Sequence, residues 1–501
     1  MAKEISIWAT IVVYVGLMLG LGMVSSRKVK DISNFTVGKR NAGAWLSALS
    51  YGTAYFSAVM FVGYSGSSGW DFGLWSVLVG VGNAVFGALL AWLVLASRTR
   101  TVAHTFNIKS MPQLFYERYK SKRMLTFSAV IIFIFLLPYS ASVYKGLTYV
   151  CSILLGIDEM VCMVIIAVVS ALLLLIGGYL ATLKADFVQG IIMMVGVVLL
   201  IYYVLKSPVV VDAGSISGLW NYMKDNGMQP MAVSKWVKLI ATILMTSFGT
   251  WGLPQMIHKY YGIKDEHEIK RGTVISTFFA LLVAGGGYFI GSFGRLYFSE
   301  IPEGGRDAII PNMLNMSNLP SVLMGIILVL LISASVSTLS AITLTASSTV
   351  MMDLIKPAVK KQRSESFDTK VLKILCLVFV VLSFVVANTK TPILDMMSYS
   401  WGILSGSFMA PYLLALYWKG VNRAGAWAGM LSGFAVAFVP ASSKLITIFL
   451  AEAPGQIINL AGQGPLFAVI AILVSLIMCT FFSLMFSKLP KNEEFYVQSG
   501  I

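Results

Sequence analysis

The sequence predicts an all-α integral membrane protein with about thirteen transmembrane helices, ten of them forming two inverted five-helix repeats. Three observations predict it: the composition, the spacing of apolar runs, and the alternation of basic and non-basic links. The 501 residues are 57% hydrophobic and 12% charged, with a mean hydropathy of +0.81. An ordinary globular chain has about 45–50% apolar and about 25% charged residues. So few charges cannot cover a water-facing surface, but such a chain can face lipid. The same figures exclude intrinsic disorder, a collagen-like fibre and a secreted disulfide scaffold.

A bilayer core of about 30 Å takes about 20 apolar residues at a rise of about 1.5 Å each. That ruler finds runs near residues 5–25, 44–68, 73–96, 125–152, 159–180, 186–206, 237–258, 272–294, 321–352, 371–389, 393–418, 424–442 and 464–487. The first has no clear small-residue cleavage site and only Lys3 as a basic residue ahead of it, so it is expected to stay as a helix. Links near 207–236 and 295–320 are long enough for a short helix or lid and no more. The tail after Lys488 reads as a polar stub without room for a signalling domain. Chemistry is therefore expected of the helices themselves.

Basic residues alternate along the chain. Arg27, Lys28, Lys30, Lys39 and Arg40 follow span one; Arg98, Arg100, Lys109, Arg118, Lys120, Lys122 and Arg123 follow span three. Lys259, Lys264, Lys270 and Arg271 follow span seven, and Lys356, Lys360, Lys361 and Arg363 follow span nine. Links after even-numbered spans are poor in Lys and Arg. Positive charge collects in cytoplasmic loops, which puts the N-terminus outside and the C-terminus in the cytoplasm. The net charge of +15 is thus topological, and nucleic acid is not an expected partner. Cys151, Cys162, Cys376 and Cys479 sit far apart in apolar runs, and the three histidines are scattered, without zinc or redox-pair spacing. A membrane-embedded enzyme would need a converging set of such groups, so none is expected.

Two spans are built to break. Span two has Gly52 amid Ser and Thr, and span seven has Gly249 and Gly252 just before Pro254. Glycine tolerates irregular dihedrals and proline removes a backbone donor. Freed carbonyls at membrane depth are tolerated where they line a cavity or coordinate an ion; close packing through small residues is the other use of such a segment. The two breaks recur five helices apart, and an odd number of helices inverts the second copy. Interrupted helices at matching places point to a transport site. The boundaries expected are 5–25 for an extra first helix, 44–206 and 237–418 for the repeats, and 424–487 for two final helices.

Span nine is dense in hydroxyls, from Ser333 to Ser348. At about 100° per residue Ser337, Ser340 and Ala341 share one face, with Thr338 beside it. Hydroxyls and freed carbonyls suffice for sodium, a hard cation that takes oxygen ligands. Alternatively the hydroxyls bond back to carbonyls four residues earlier and bend the helix. Charged groups at depth are costly and point to function. Lys184 and Asp186 are placed at a cytoplasmic turn opening span six, where Asp186 either meets an ion or caps a helix. Lys145 and Asp395 lie near outer helix ends, where snorkelling is the competing explanation.

The ordered segments DISNFTVGKR, SALSYGTAYFSAVMFVG, GGYLATLKADFVQG, WGLPQMI, SASVSTLS, SYSWGILSGSFMAPYLLALYW and NRAGAWAGMLSG resemble the sodium:solute symporter family over nearly the whole chain. The resemblance implies a leucine-transporter-type fold and Na⁺ as the coupling ion. It implies a sodium site from the carbonyls of Thr53, Phe56 and Ala334 and the hydroxyls of Ser337 and Thr338. Some relatives hold a second sodium with an aspartate and further hydroxyls; Asp186, Ser337 and Ser340 match, while Ala341 stands where a hydroxyl would help. One sodium is the expectation, with two, the second at Asp186 and Ser340, as the alternative. On the substrate side an aspartate of the family's proline carriers is Tyr55 here, and two aromatics of span seven are Thr246 and Thr250; Tyr139 matches. Tyr55, Ser57, Tyr139, Thr246, Thr250 and Trp251 are the candidate pocket. The implied activity is sodium-coupled import of a small polar organic solute (an amino acid such as proline, a sugar or a carboxylate) across the plasma membrane by alternating access. Proton-coupled or uncoupled carriage on the same fold is the nearer alternative, a transport-derived sensor the more distant one. Membrane lipid is the surrounding partner, and no obligate protein partner is evident.

Overall fold

The computed structural model describes residues 2–26, 35–38, 40–317, 319–359, 364–389, 391–450 and 454–501. Arg27, Lys28, Lys30, Lys39, Lys360, Lys361 and Arg363 lie outside them, as do residues 31–34 of the DISNFTVGKR segment. Every apolar run expected to span is helical. Among the described residues ten helices are long and apolar enough to cross a bilayer, eleven with one bent pair. Val59–Thr105 is one of the ten, and the chain turns within it at Gly73 with φ 56°. The helix Ile393–Tyr417 is long enough as well, but its apolar character is diluted by Ser398, Ser400, Ser405 and Ser407.

α1 (Ala2–Ser26) lies against α5 and α9, defined below. Span two is α2 (Ala44–Tyr55), an extended break at Phe56, then π turns over Val59–Tyr64 that run into α3 (Ser65–Phe72). A helical run through residues 73–105 alternates 3-10, α and π turns. α4 (Lys122–Leu155) and α5 (Glu159–Lys206) follow. α5 contains two spans: at Gly178 the backbone takes φ 56°, and a Cβ there would lie 2.6 Å from the Phe35 ring, so only glycine fits this turn. The junction therefore falls eight residues before Asp186. Asp186 sits inside a helix and is not the cap of one, which corrects the placement expected for it.

Span seven is α6 (Val233–Phe248), a 3-10 turn over Gly249–Gly252, an extended Leu253, and α7 (Pro254–Tyr261), bent by 50°. α8 (Glu266–Ser292) packs on α2 and α3, and α9 (Ser321–Thr349) on α5, α4 and α2. α10 (Glu365–Ala387) lies on α4; α11 (Ile393–Tyr417) joins α4 to α13 (Gly464–Met485), which pairs with α12 (Arg423–Phe449). The long links hold only short helices, Pro208–Asp212 and Ser215–Asp225 in one, Gly294–Tyr297 and Ile309–Met316 in the other.

The tail is more than a polar stub. Residues Glu494–Ser499 form a helix that buries Phe495 and Tyr496. Phe495 stacks on Phe106 at 5.3 Å, and the Tyr496 hydroxyl donates to Ala415 O at 2.8 Å. Two aromatic side chains find a partner that the polarity around them conceals.

Candidate functional site

α2 ends because the chain turns extended at Phe56, with φ −106° and ψ 108°. Its last backbone bond runs from Phe56 N–H to Gly52 O at 2.9 Å, and Ser57 Oγ accepts from Val59 N at 3.2 Å to start the next turns. Gly52, the residue expected to allow unwinding, remains helical one turn earlier. It is small for packing: a Cβ there would lie 2.3 Å from the Phe279 ring. Beyond that last bond the carbonyls of Thr53 and Ala54 turn to α9. Thr338 Oγ1 lies 3.1 Å from Thr53 O, 3.5 Å from Ala54 O and 3.0 Å from Ala334 O. Ser337 Oγ lies 2.9 Å from Thr53 Oγ1. Thr53, Ala334, Ser337 and Thr338 are thus brought together in a buried cluster of oxygens, and Phe56 stands at the break beside it. Thr338 bonds back to the carbonyl four residues earlier and faces the broken helix at once, so the two uses expected of the span-nine hydroxyls coincide.

A charged cluster adjoins these oxygens. Asp186 Oδ1 lies 2.6 Å from Ser337 Oγ; Asp186 Oδ2 accepts from Ser50 Oγ and, at 3.1 Å, from Lys259 Nζ. Lys259 Nζ also donates to Ser50 Oγ at 2.7 Å. Both charged side chains are buried, 4% and 1% exposed. Sequence reasoning counted Lys259 among the cytoplasmic link cations. The structure corrects this: Lys259 lies on α7, which packs on α2 and α9 and turns the side chain inward. Burial of an unpaired ammonium is prohibitive, so a carboxylate had to face it. Ser340 lines a cavity of about 20 Å³ with Asp186, Ser337 and Gln189.

The six candidate pocket residues gather around an aromatic knot at the two breaks. Tyr55 stacks on Phe56 with ring centres 4.1 Å apart, lies 6.1 Å from Trp401, and donates its hydroxyl to Thr246 O at 2.6 Å. Tyr139 meets Trp401 edge-on at 5.6 Å. Thr246 Oγ1 donates to Asn83 Oδ1 at 2.8 Å, Thr250 Oγ1 to Ser247 O at 2.8 Å, and Trp251 Nε1 to Phe86 O at 2.9 Å. Ser57 is committed to the turn it starts. Of the six, Tyr139 has a buried hydroxyl without a hydrogen-bond partner among the described residues; Trp401 Nε1 and both amide atoms of Gln255 share that condition. Trp401 and Gln255 were missed from sequence. The available signal was Gln255 directly after Pro254, where the chain restarts its helix.

The faces of the bundle differ. On the side of the basic links, Arg40 donates to Ala103 O at 2.5 Å and Ile108 O at 2.8 Å, and Arg100 to Ile263 O at 2.9 Å and to Lys264 O. His104 Nε2 lies 3.1 Å from Tyr261 O. These contacts tie the first link to the stretch 103–108, and residues 100 and 104 to the end of α7 and the residues after it. The other side opens as a vestibule of about 320 Å³, lined by Asp71, Lys238, Arg306, Asp307 and Asp395 among others. Asp71 Oδ2 accepts from Lys238 Nζ and Arg306 at 2.7 Å each. Burial pushes the Asp307 carboxyl above the ordinary carboxylate range, against the Ile393 N–H at 3.0 Å and the Lys145 charge, which lower it. Lys145 Nζ donates to Thr389 O at 2.9 Å and Thr391 O at 2.8 Å, holding the link between α10 and α11.

The profile of the Sodium:solute symporter family matches residues 35–433. An osmoregulated proline transporter of Bacillus subtilis is 26% identical over 461 residues, 90% of this chain and 91% of that one. A sodium/proline symporter of Escherichia coli is 25% identical over 447 residues, covering 86% and 87%. The solved structure of a Na⁺-coupled sialic acid symporter, substrate-bound and outward-open, superposes with a TM-score of 0.73 at 17% identity, covering 96% of this chain and 98% of that one. That superposition gives the chain the leucine-transporter-type fold of sodium symporters. The chain belongs to the sodium:solute symporter family: it is a multi-pass membrane transporter and not an enzyme.

Proposed function

We propose that the chain couples sodium entry to the import of a small polar organic solute, with a single sodium held where α2 breaks beside α9. One observation carries this reading: the carbonyls of Thr53 and Ala334 and the hydroxyls of Ser337 and Thr338 converge in a buried place with no apolar reason to converge. Four or more oxygens replace the hydration shell of a hard monovalent cation. The Phe56 carbonyl, at the break, is the fifth ligand. A hydroxyl has one proton. Given to the Asp186 carboxylate 2.6 Å away, it leaves the Ser337 lone pairs for the ion. Asp186 is then a positioning residue for the site.

The repeats are assigned to residues 44–206 and 237–418, with 424–487 added after them and α1 before. Breaks at Phe56 and at Leu253 hold matching places in the two halves. The basic links favour a cytoplasmic position for their side, the N-terminus outside and the C-terminus inside. The vestibule is then the outer entrance, and the contacts of Arg40, Arg100 and His104 are the closed inner gate. Sodium binding fixes the broken α2 against α9 and orders the aromatic knot. Solute enters from the vestibule toward Tyr55, Tyr139, Thr246, Thr250 and Trp251, and closure above it precedes release inward. Proline, a sugar or a carboxylate are the candidate cargoes, proline being what the two curated relatives are named for. One charge crossing 100 mV supplies about 2.3 kcal/mol. A tenfold sodium gradient adds about 1.4 kcal/mol, which together sustains accumulation of several hundred-fold.

Thermal unfolding of the purified protein with amino acids, sugars and carboxylates, each with and without sodium, tests the reading. Stabilisation requiring both partners identifies the cargo and the coupling. Uptake into proteoliposomes that proceeds equally without sodium, on a proton gradient or on none, would overturn it.

A further inference from the structure

We propose that the Lys259 ammonium is a built-in cation occupying a second cation position beside Asp186, so that the transporter cycles with one sodium and not two. The inference rests on the sodium-coupled reading above and deepens it by naming the residue that limits the chain to the single sodium proposed there. A buried carboxylate requires a positive partner, either one that exchanges with solvent or one fixed to the chain. Asp186, on α5, has a fixed one. Lys259 Nζ sits 3.1 Å from Oδ2 and 2.7 Å from Ser50 Oγ, while Ser337 takes Oδ1. Ser50 gives its proton to the carboxylate and accepts one from the ammonium, which closes a three-membered cluster of Lys259, Ser50 and Asp186.

The surrounding residues agree. The cavity of about 20 Å³ next to Asp186 admits a water-sized species, but Asp186 is the one ionisable side chain lining it among the described residues. A free cation there would meet the ammonium across a carboxylate already neutralised. Ala341, on the α9 face shared with Ser337 and Ser340, adds no oxygen. Lys259 also rides on α7, eight residues past Trp251 and just beyond the bend. The fixed charge is thus carried by the broken helix of the second half, while its partners sit on α2, α5 and α9.

The test uses the full-length protein in lipid nanodiscs and sodium alone, with choline replacing it to hold ionic strength. Equilibrium binding of radioactive sodium is expected to give one ion per wild-type chain, without cooperativity. Lys259→Met, which keeps the bulk and removes the charge, should expose Asp186 and bind two. Lys259→Gln retains a donor for Ser50 and replaces the methionine variant if that one does not fold. Two ions on the wild type, or one ion still on a folded charge-removed variant, overturns the inference while leaving sodium coupling intact. No sodium on the wild type overturns the sodium-coupled reading itself.

Discussion

Replacing Thr338 by Val isolates one oxygen of the proposed sodium site. Thr338 is fully buried, and its hydroxyl lies 3.1 Å from Thr53 O and 3.0 Å from Ala334 O. Valine matches its shape, so no cavity forms and the helix keeps a β-branched side chain. What is lost is the oxygen. The Ala334 carbonyl keeps its helical position, whereas Thr53 O loses the hydroxyl facing it, a cost of about 1–3 kcal/mol for a buried group left short of a partner. A contact to a charged species is worth about 1.5–3 kcal/mol. Loss of one such ligand among five therefore raises the sodium concentration for half-maximal uptake about 10- to 100-fold. Thr338→Ser keeps the oxygen and should stay close to wild type. The assay is solute uptake into proteoliposomes against a sodium series at constant ionic strength, with the amount of reconstituted protein measured in parallel. Because linkage is reciprocal, the factor by which solute tightens sodium binding should equal the factor by which sodium tightens solute binding, in the valine variant as in the wild type. A Thr338→Val protein, reconstituted normally and unchanged in sodium dependence, would refute the assignment of this oxygen.

Three further outcomes follow from other parts of the molecule. Gly69→Ala would place a Cβ 2.0 Å from Gly291 O, where backbone meets backbone between α3 and α8; the cost should reach or exceed the ~1–3 kcal/mol of ordinary overpacking and appear as lost thermal stability in detergent. Asp307 has a folded pKa above its unfolded value, so its contribution to stability is present below the unfolded pKa and lost as pH rises through the folded one. Asp307→Asn should thus be the more stable protein at neutral pH, with its advantage over wild type vanishing on acidification; a constant difference across the pH series would contradict the burial argument. Asp71→Asn removes the acceptor shared by Lys238 and Arg306 at the vestibule. Asp71 is 16% exposed and its two partners 55% and 41%, so the pairs are partly screened; the variant should lower the melting temperature, by an amount that shrinks at high salt.

The sequence by itself determined the helical membrane architecture, because apolar run length is matched to a bilayer and needs no tertiary information. It also located the breaks to within a turn: Pro254 and the glycines before it cannot sustain a helix, whichever neighbours surround them. The hydroxyls of Ser337 and Thr338 were legible as candidates for the same reason, being unusually dense in an otherwise apolar run. Other features needed the folded chain. Gly52 marked the right span, but the helix gave way at Phe56, since Gly52 was required for contact with Phe279. Asp186 resembled a helix cap until Gly178 placed the turn eight residues earlier. Phe495 and Tyr496 looked like part of a polar tail until Phe106 and Ala415 met them. Lys259 had the local signature of a cytoplasmic link, at the end of an apolar run and near other cations. Its charge is balanced by Asp186, 73 residues away in the chain. Local pattern fixes where backbone can remain helical, but electrostatic compensation of a buried charge acts through space, and only the packing of α7 on α2 and α9 decides which partner lies within reach.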